Sequence, residues 1–174
     1  MNLGFRSVAE RNPIIPVRAI AEPSMSDYEF TMSLSIRHPN AKPAEITRIL
    51  GIEPQHTWRA GDVRHDSAGG ELAGTYRESY WMGRLMAEPQ LAADHVGVES
   101  VILRTLAQLR KSSGFLEMLK EEGSVAELHV SIFAREEFRL EFLAESLGLL
   151  GRLGLGIALE IKPHPHERAA IASH

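Results

Sequence analysis

The chain has 174 residues, a formal net charge of −4, 44% hydrophobic and 24% charged residues, and no cysteine. That length and apolar content suit one globular core, and the missing cysteine excludes disulfides, thiolate metal centres and cysteine nucleophiles. A mildly acidic balance with no long basic run argues against general nucleic-acid binding.

Residues 1–26 read as an extended or partly disordered arm. Pro13, Pro16 and Pro23 break any continuous helix, and Ile14, Ile15, Val17 and Ile20 supply scattered apolar weight. The arm lacks the unbroken apolar region of a secretory signal. No stretch of about 18 apolar residues occurs to span a membrane. With the absence of cysteine, this leads us to expect a cytoplasmic protein without a membrane partner.

A single domain is expected over 27–163. Its first strand is Tyr28–Arg37, where Phe30, Met32, Leu34 and Ile36 alternate with small polar residues. Pro43–Leu50 reads as a short helix that stops at Gly51. Residues 52–74 are rich in Gly, Pro, Asp and His and read as a long loop. A second strand, Thr75–Leu85, is dense in aromatics. Helices are expected at about Asp94–Lys111 and Phe115–Glu122, the first striped by Val98, Ile102, Leu106 and Leu109. A third strand is Ser124–Arg135, followed by a helix at Glu136–Leu150 that presents Phe138, Phe142, Leu143, Leu147 and Leu150. The last strand is Gly154–Lys162. Pro163 and Pro165 end the domain, leaving a polar tail over 164–174.

Four strands with one apolar face each imply helices on one side of a sheet. The expected fold is therefore α+β: a two-layer α/β sandwich of ferredoxin-like character, with a four-stranded, mainly antiparallel sheet.

The block Leu50-Gly51-Ile52-Glu53-Pro54, followed by Trp58-Arg59-Ala60-Gly61 and later by Tyr80-Trp81, resembles a bacterial domain-of-unknown-function family, DUF4279. The resemblance spans about residues 28–162. It implies this fold and a bacterial origin, and no established activity. Some members are similar to immunity proteins that accompany toxins, which implies a protein partner.

Two readings compete for Trp58 and Arg59. The tryptophan either folds back to plug an end of the sheet, or forms with Arg59 a platform for a planar or anionic ligand. Tyr76, Tyr80 and Trp81 join that platform if their strand borders the loop. His56, Asp62, His65 and Asp66 carry ligand-type atoms but match no metal-binding spacing, so no metal and no cofactor are expected. His164, His166 and His174 read as part of a solvated tail. No nucleophile elbow, phosphate loop or dinucleotide fingerprint stands in the right context. On the sheet's outward face, Thr31, Ser33, Ser35, His129, Ser131 and Phe133 should lie together. The aromatic pattern of RNA-binding sheets is missing there, so a partner protein or a second copy suits that face better. The function expected is non-enzymatic protein binding. The alternative is a small-ligand-binding protein or weak hydrolase using the Trp58/Arg59 loop and the aromatic strand.

Overall fold

A computed structural model describes residues 28–86, 90–91, 97–134 and 140–163. The proposed arm, the whole of the tail and Phe138 lie outside the described residues. The central strand, β1 (Tyr28–His38), follows from its own alternation: Phe30, Met32, Leu34 and Ile36 point to one side and are fully buried. It is followed by α1 (Pro43–Leu50), β2 (Pro54–Trp58), β3 (Val63–His65), β4 (Glu71–Thr75), β5 (Ser79–Arg84) and β6 (Gln90–Leu91). The second half holds α2 (Val98–Leu109), α3 (Ser113–Glu121), β7 (Val125–Ala134), α4 (Ala144–Arg152) and β8 (Leu155–Pro163).

The main sheet has the order β2-β5-β1-β7-β8, with β6 pairing the start of β1. Every pairing is antiparallel except β7–β8, which is parallel. Leu34 stands opposite Leu128 of β7 and Gly83 of β5, so one register serves the whole core face. Buried Val98, Ile102 and Leu106 of α2, Ile46 of α1 and Leu150 of α4 close over that face. The result is a mixed α+β layer pair with the apolar cluster between sheet and helices.

Three expectations change. The sheet has five principal strands rather than four, because β2 forms inside the stretch expected to be loop. Its residues are mostly exposed, and β5, not an apolar alternation of its own, holds it in the sheet. The last strand joins its neighbour in parallel, and β1 lies directly beside β5, so the four-stranded ferredoxin-like arrangement is not what forms. Finally, α4 begins at Ala144 rather than Glu136. Glu99 of α2 ends the preceding segment: its Oε1 accepts from the backbone N–H of Leu143 at 2.6 Å and from Ser146 Oγ at 2.7 Å. A carboxylate from another helix thereby meets the amide at the start of α4, where the helix dipole favours negative charge.

The turn from β1 into α1 is tied by a buried histidine. His38 Nδ1 accepts from the amides of Asn40 (3.1 Å) and Ala41 (2.8 Å). Its proton is thus placed on Nε2, which donates to Glu122 Oε2 at 3.1 Å.

Trp81 is the largest core side chain and has no exposure. Its Nε1–H donates to Thr47 Oγ1 at 2.9 Å, fixing α1 to β5. The indole lies over Gly83: a Cβ there would stand 2.5 Å from Trp81 Cη2 and 2.7 Å from Ile52 Cγ2. Gly83→Ala should therefore displace the indole and destabilise the fold by about 1–3 kcal/mol. Urea unfolding against wild type checks this; an unchanged midpoint would mean that the ring moves freely.

Candidate functional site

The stretch between β2 and β5 is a two-stranded arm whose register shifts between Val63 and Arg64. Beyond Trp58 the pairing resumes where Gly61 N–H donates to the Tyr76 carbonyl (2.8 Å) and Tyr76 N–H to the Asp62 carbonyl (3.0 Å). It continues through β3 and β4 to a turn at residues 66–70. Asp62 and Asp66 build its turns. Asp62 Oδ2 accepts from Arg59 N–H at 2.8 Å, and Asp66 Oδ1 accepts from the amides of Ala68 (2.9 Å) and Gly70 (2.8 Å). His56 lies in β2 opposite Met82, and His65 in β3 opposite Glu71, both exposed. Among the described residues, no group of three or more His, Asp or Glu side chains gathers to hold a metal.

This arm places the aromatic residues. Trp58 faces Tyr80 in the β2–β5 register, and their rings stack at 4.3 Å with planes 18° apart. Tyr76 stacks with Trp58 at 4.5 Å and 17°. Trp58 thus neither enters the core nor lies bare; it is the middle ring of three, half-buried on the sheet face away from the helices. Arg59 is exposed beside the stack. Trp81 departs from this group. Adjacent strand residues point to opposite faces, so Tyr80 turns outward while Trp81 turns into the core.

Next to the stack runs a row of polar side chains on the same face. Ser35 Oγ meets His129 Nε2 at 2.7 Å. Arg37 Nη2 stands 3.7 Å from Glu127 Oε2, and that same oxygen is 4.0 Å from His129 Nε2. Ser131 Oγ donates to Glu160 Oε2 at 3.3 Å. The expected sharing of a face by Thr31, Ser33, Ser35, His129, Ser131 and Phe133 matches the β1–β7 register. Arg37 and Glu127 belong with them, and the same odd-numbered parity marks both in the sequence. Burial pushes the Tyr80 phenol above its ordinary value, against the pull of Arg37 and a hydrogen bond with Ser35.

The Ser35–His129 contact is not a hydrolytic arrangement. In a catalytic triad the carboxylate orients the ring nitrogen away from the nucleophile. Here Ser35 and Glu127 approach the same Nε2, and Ser35 is only 2% exposed. On the helix side, a cleft of about 360 Å³ opens between the end of α1, the end of β5 and the end of α2. Leu50, Ile52, Leu85, Arg84 and Gln108 line it, and none of Trp58, Arg59, Tyr76 or Tyr80 does.

Two outcomes follow from this geometry. Trp58→Ala removes two stacked pairs and should cost about 1–3 kcal/mol, measured by chemical unfolding with far-UV circular dichroism. A loss near that of a buried core tryptophan would mean that the ring does enter the core. The Tyr80 phenol should ionise above the ordinary tyrosine range. Above the unfolded-state value the unfolded chain releases this proton first, so the stability it contributes is present below that pH and is lost as pH rises through the folded value. Tyr80→Phe should flatten that alkaline loss; a superimposable stability profile would refute the link.

No described helix is long and apolar enough to cross a membrane. Neither a curated protein nor a solved structure matches the chain. A family model described as a domain of unknown function (DUF4279) matches residues 28–164, essentially the whole described fold with its aromatic stack and polar row, and the chain belongs to that family.

Proposed function

We propose that this is a non-enzymatic domain that binds a protein partner on the helix-free face of its sheet. The stack of Tyr76, Trp58 and Tyr80 carries this reading. Three rings held in parallel are already ordered, so docking against them costs little side-chain entropy. Aromatic and arginine side chains of this kind anchor protein interfaces. Beside them Arg37, Glu127 and His129 offer both signs of charge in fixed positions, which selects register more than it adds affinity. A cytoplasmic bacterial protein of immunity type, which neutralises its partner by covering it, is the form of this activity that the resemblance suggests.

Capture from an extract of the source cells tests it, with wild type and Arg37→Glu/Tyr76→Ala side by side. Both side chains have solvent access, so the variant should keep its circular dichroism spectrum. A protein retained by wild type and lost by the folded variant is expected. Equal retention by both, or none by either, would overturn the reading.

The second reading, a small-ligand-binding protein, is favoured by one observation, the cleft of about 360 Å³, which falls in the size range of small-molecule sites. It is separable: a ligand found by thermal shift should still stabilise the Tyr76→Ala variant and fail with Gln108→Ala.

A further inference from the structure

Among the described residues, β8 is an edge of the sheet, paired with β7 on one side only. Its helix-side residues are Leu155, Ile157, Leu159 and Ile161. Leu155 is buried, whereas Leu159 is 42% and Ile161 64% exposed. Leu143, which precedes α4, and Leu147 on it are exposed too. α4 turns into β8 through Leu153 and Gly154, so the two run in opposite directions. Nine helical residues rise about 13 Å, which β8 covers in about four residues. Leu143 therefore comes roughly level with Leu159, and beyond Leu155 the helix-side residues Leu159 and Ile161 leave apolar surface exposed along the edge. Free strand edges are usually short, bulged or charged. This one has nine residues; its only charged side chains are Glu160 and Lys162, and a proline, Pro163, comes only at its last position.

We infer that β8 pairs antiparallel with β8 of a second copy of this chain, with the two-fold axis at Ile161. The occupant is read from the strand's own charges. In an antiparallel ladder, directly opposite residues share a face. An axis at Glu160 would set two carboxylates against each other. An axis at Leu159 would leave each charge opposite Ala158 or Gly156. An axis at Ile161 sets Glu160 against Lys162 of the second copy, twice, and brings the two most exposed isoleucine side chains together. Within one copy Lys162 Nζ already lies 2.8 Å from Glu160 Oε2, so the pairing yields four alternating charges on the outward face. The surface differs from the aromatic face proposed above and lies at the opposite edge of the sheet from β2. A seam centred near the strand's end is short, so the dimer should form with rising concentration rather than be permanent.

Glu160→Lys and Lys162→Glu test the register. Each variant carries two like charges on this strand and should stay monomeric in sedimentation runs over a concentration series in which wild type dimerises. Mixed in equal amounts, they should form a dimer of one copy each, seen by native mass spectrometry. The ion pair within each chain is broken in both, and mixing cannot restore it, so rescue reports contact between copies. Because the chain has no cysteine, Ile161→Cys adds an independent readout. On the axis the two thiols fall within disulfide reach and should cross-link under mild oxidation. Ala158→Cys should not, because its mate would lie about 20 Å away along the ladder. A wild type that is monomeric at every concentration, its edge free or covered by something other than a second copy, would overturn the inference. So would a mixture that stays monomeric, or cross-linking at 158 equal to that at 161.

Discussion

The arrangement of the molecule rests on the period-two alternation of β1. It pairs with β7 through ten residue positions and with β5 through six, and its register sets theirs. Large apolar side chains stand on one side of it, and Thr31, Ser33 and Ser35 on the other. The helices can therefore close over one face only, and on the other face the middle of β1 carries small side chains. Bulk returns towards the flanks, with Tyr80 and Trp58 on one side and Phe133 on the other. Lys162 Nζ lies 6.0 Å from the centre of the Phe133 ring, so the far flank also joins a cation to an aromatic surface. The outward face thus has small side chains at the middle of its central strand and aromatic rings on both flanks.

The two tryptophans show how one strand divides labour between folding and surface. Trp81 lies opposite Ile36, and Tyr80 opposite Arg37. One position along β5 separates a ring with no exposure, bonded to α1, from a ring that belongs to the outer face. Gly83, two positions on, must lack a side chain because Trp81 occupies its space on the core face. The core thus dictates β5 at alternate positions, and the intervening ones are open to function.

Much of this was legible in the sequence. The alternation of β1, the α1 stop at Gly51, which adopts φ 67°, and the buried stripe of α2 each follow from local spacing. The outer row also followed, since parity alone assigns it. Trp81 and Tyr80 are separated by the strand's own parity, because neighbours on a strand cannot share a face. Other features were not legible for physical reasons. β2, β3 and β4 are polar, glycine-interrupted and mostly exposed, so their strand character comes from pairing across the arm and not from burial. The start of α4 depends on Glu99, forty-four residues away in sequence from Leu143. An apolar stripe over Phe138 to Leu150 does not reveal where a distant carboxylate will meet the helix.

The two edges of the sheet are finished differently, and this separates two kinds of surface. At the β2 edge, Gln55, His56 and Thr57 are exposed polar residues, the register is broken between Pro54 and His56, and the chain leaves the sheet at once to form the arm. Irregularity and polarity of this sort discourage strand addition. At the β8 edge the pairing with β7 runs unbroken through nine positions and keeps its apolar alternation to the end. Burial against the helices accounts for Leu155, and partly for Ile157, but not for Leu159 and Ile161 beyond them. Among the described residues, the alternation continues past the reach of the core. That excess, on a regular and weakly charged edge, distinguishes a strand shaped for pairing from one that merely ends a sheet.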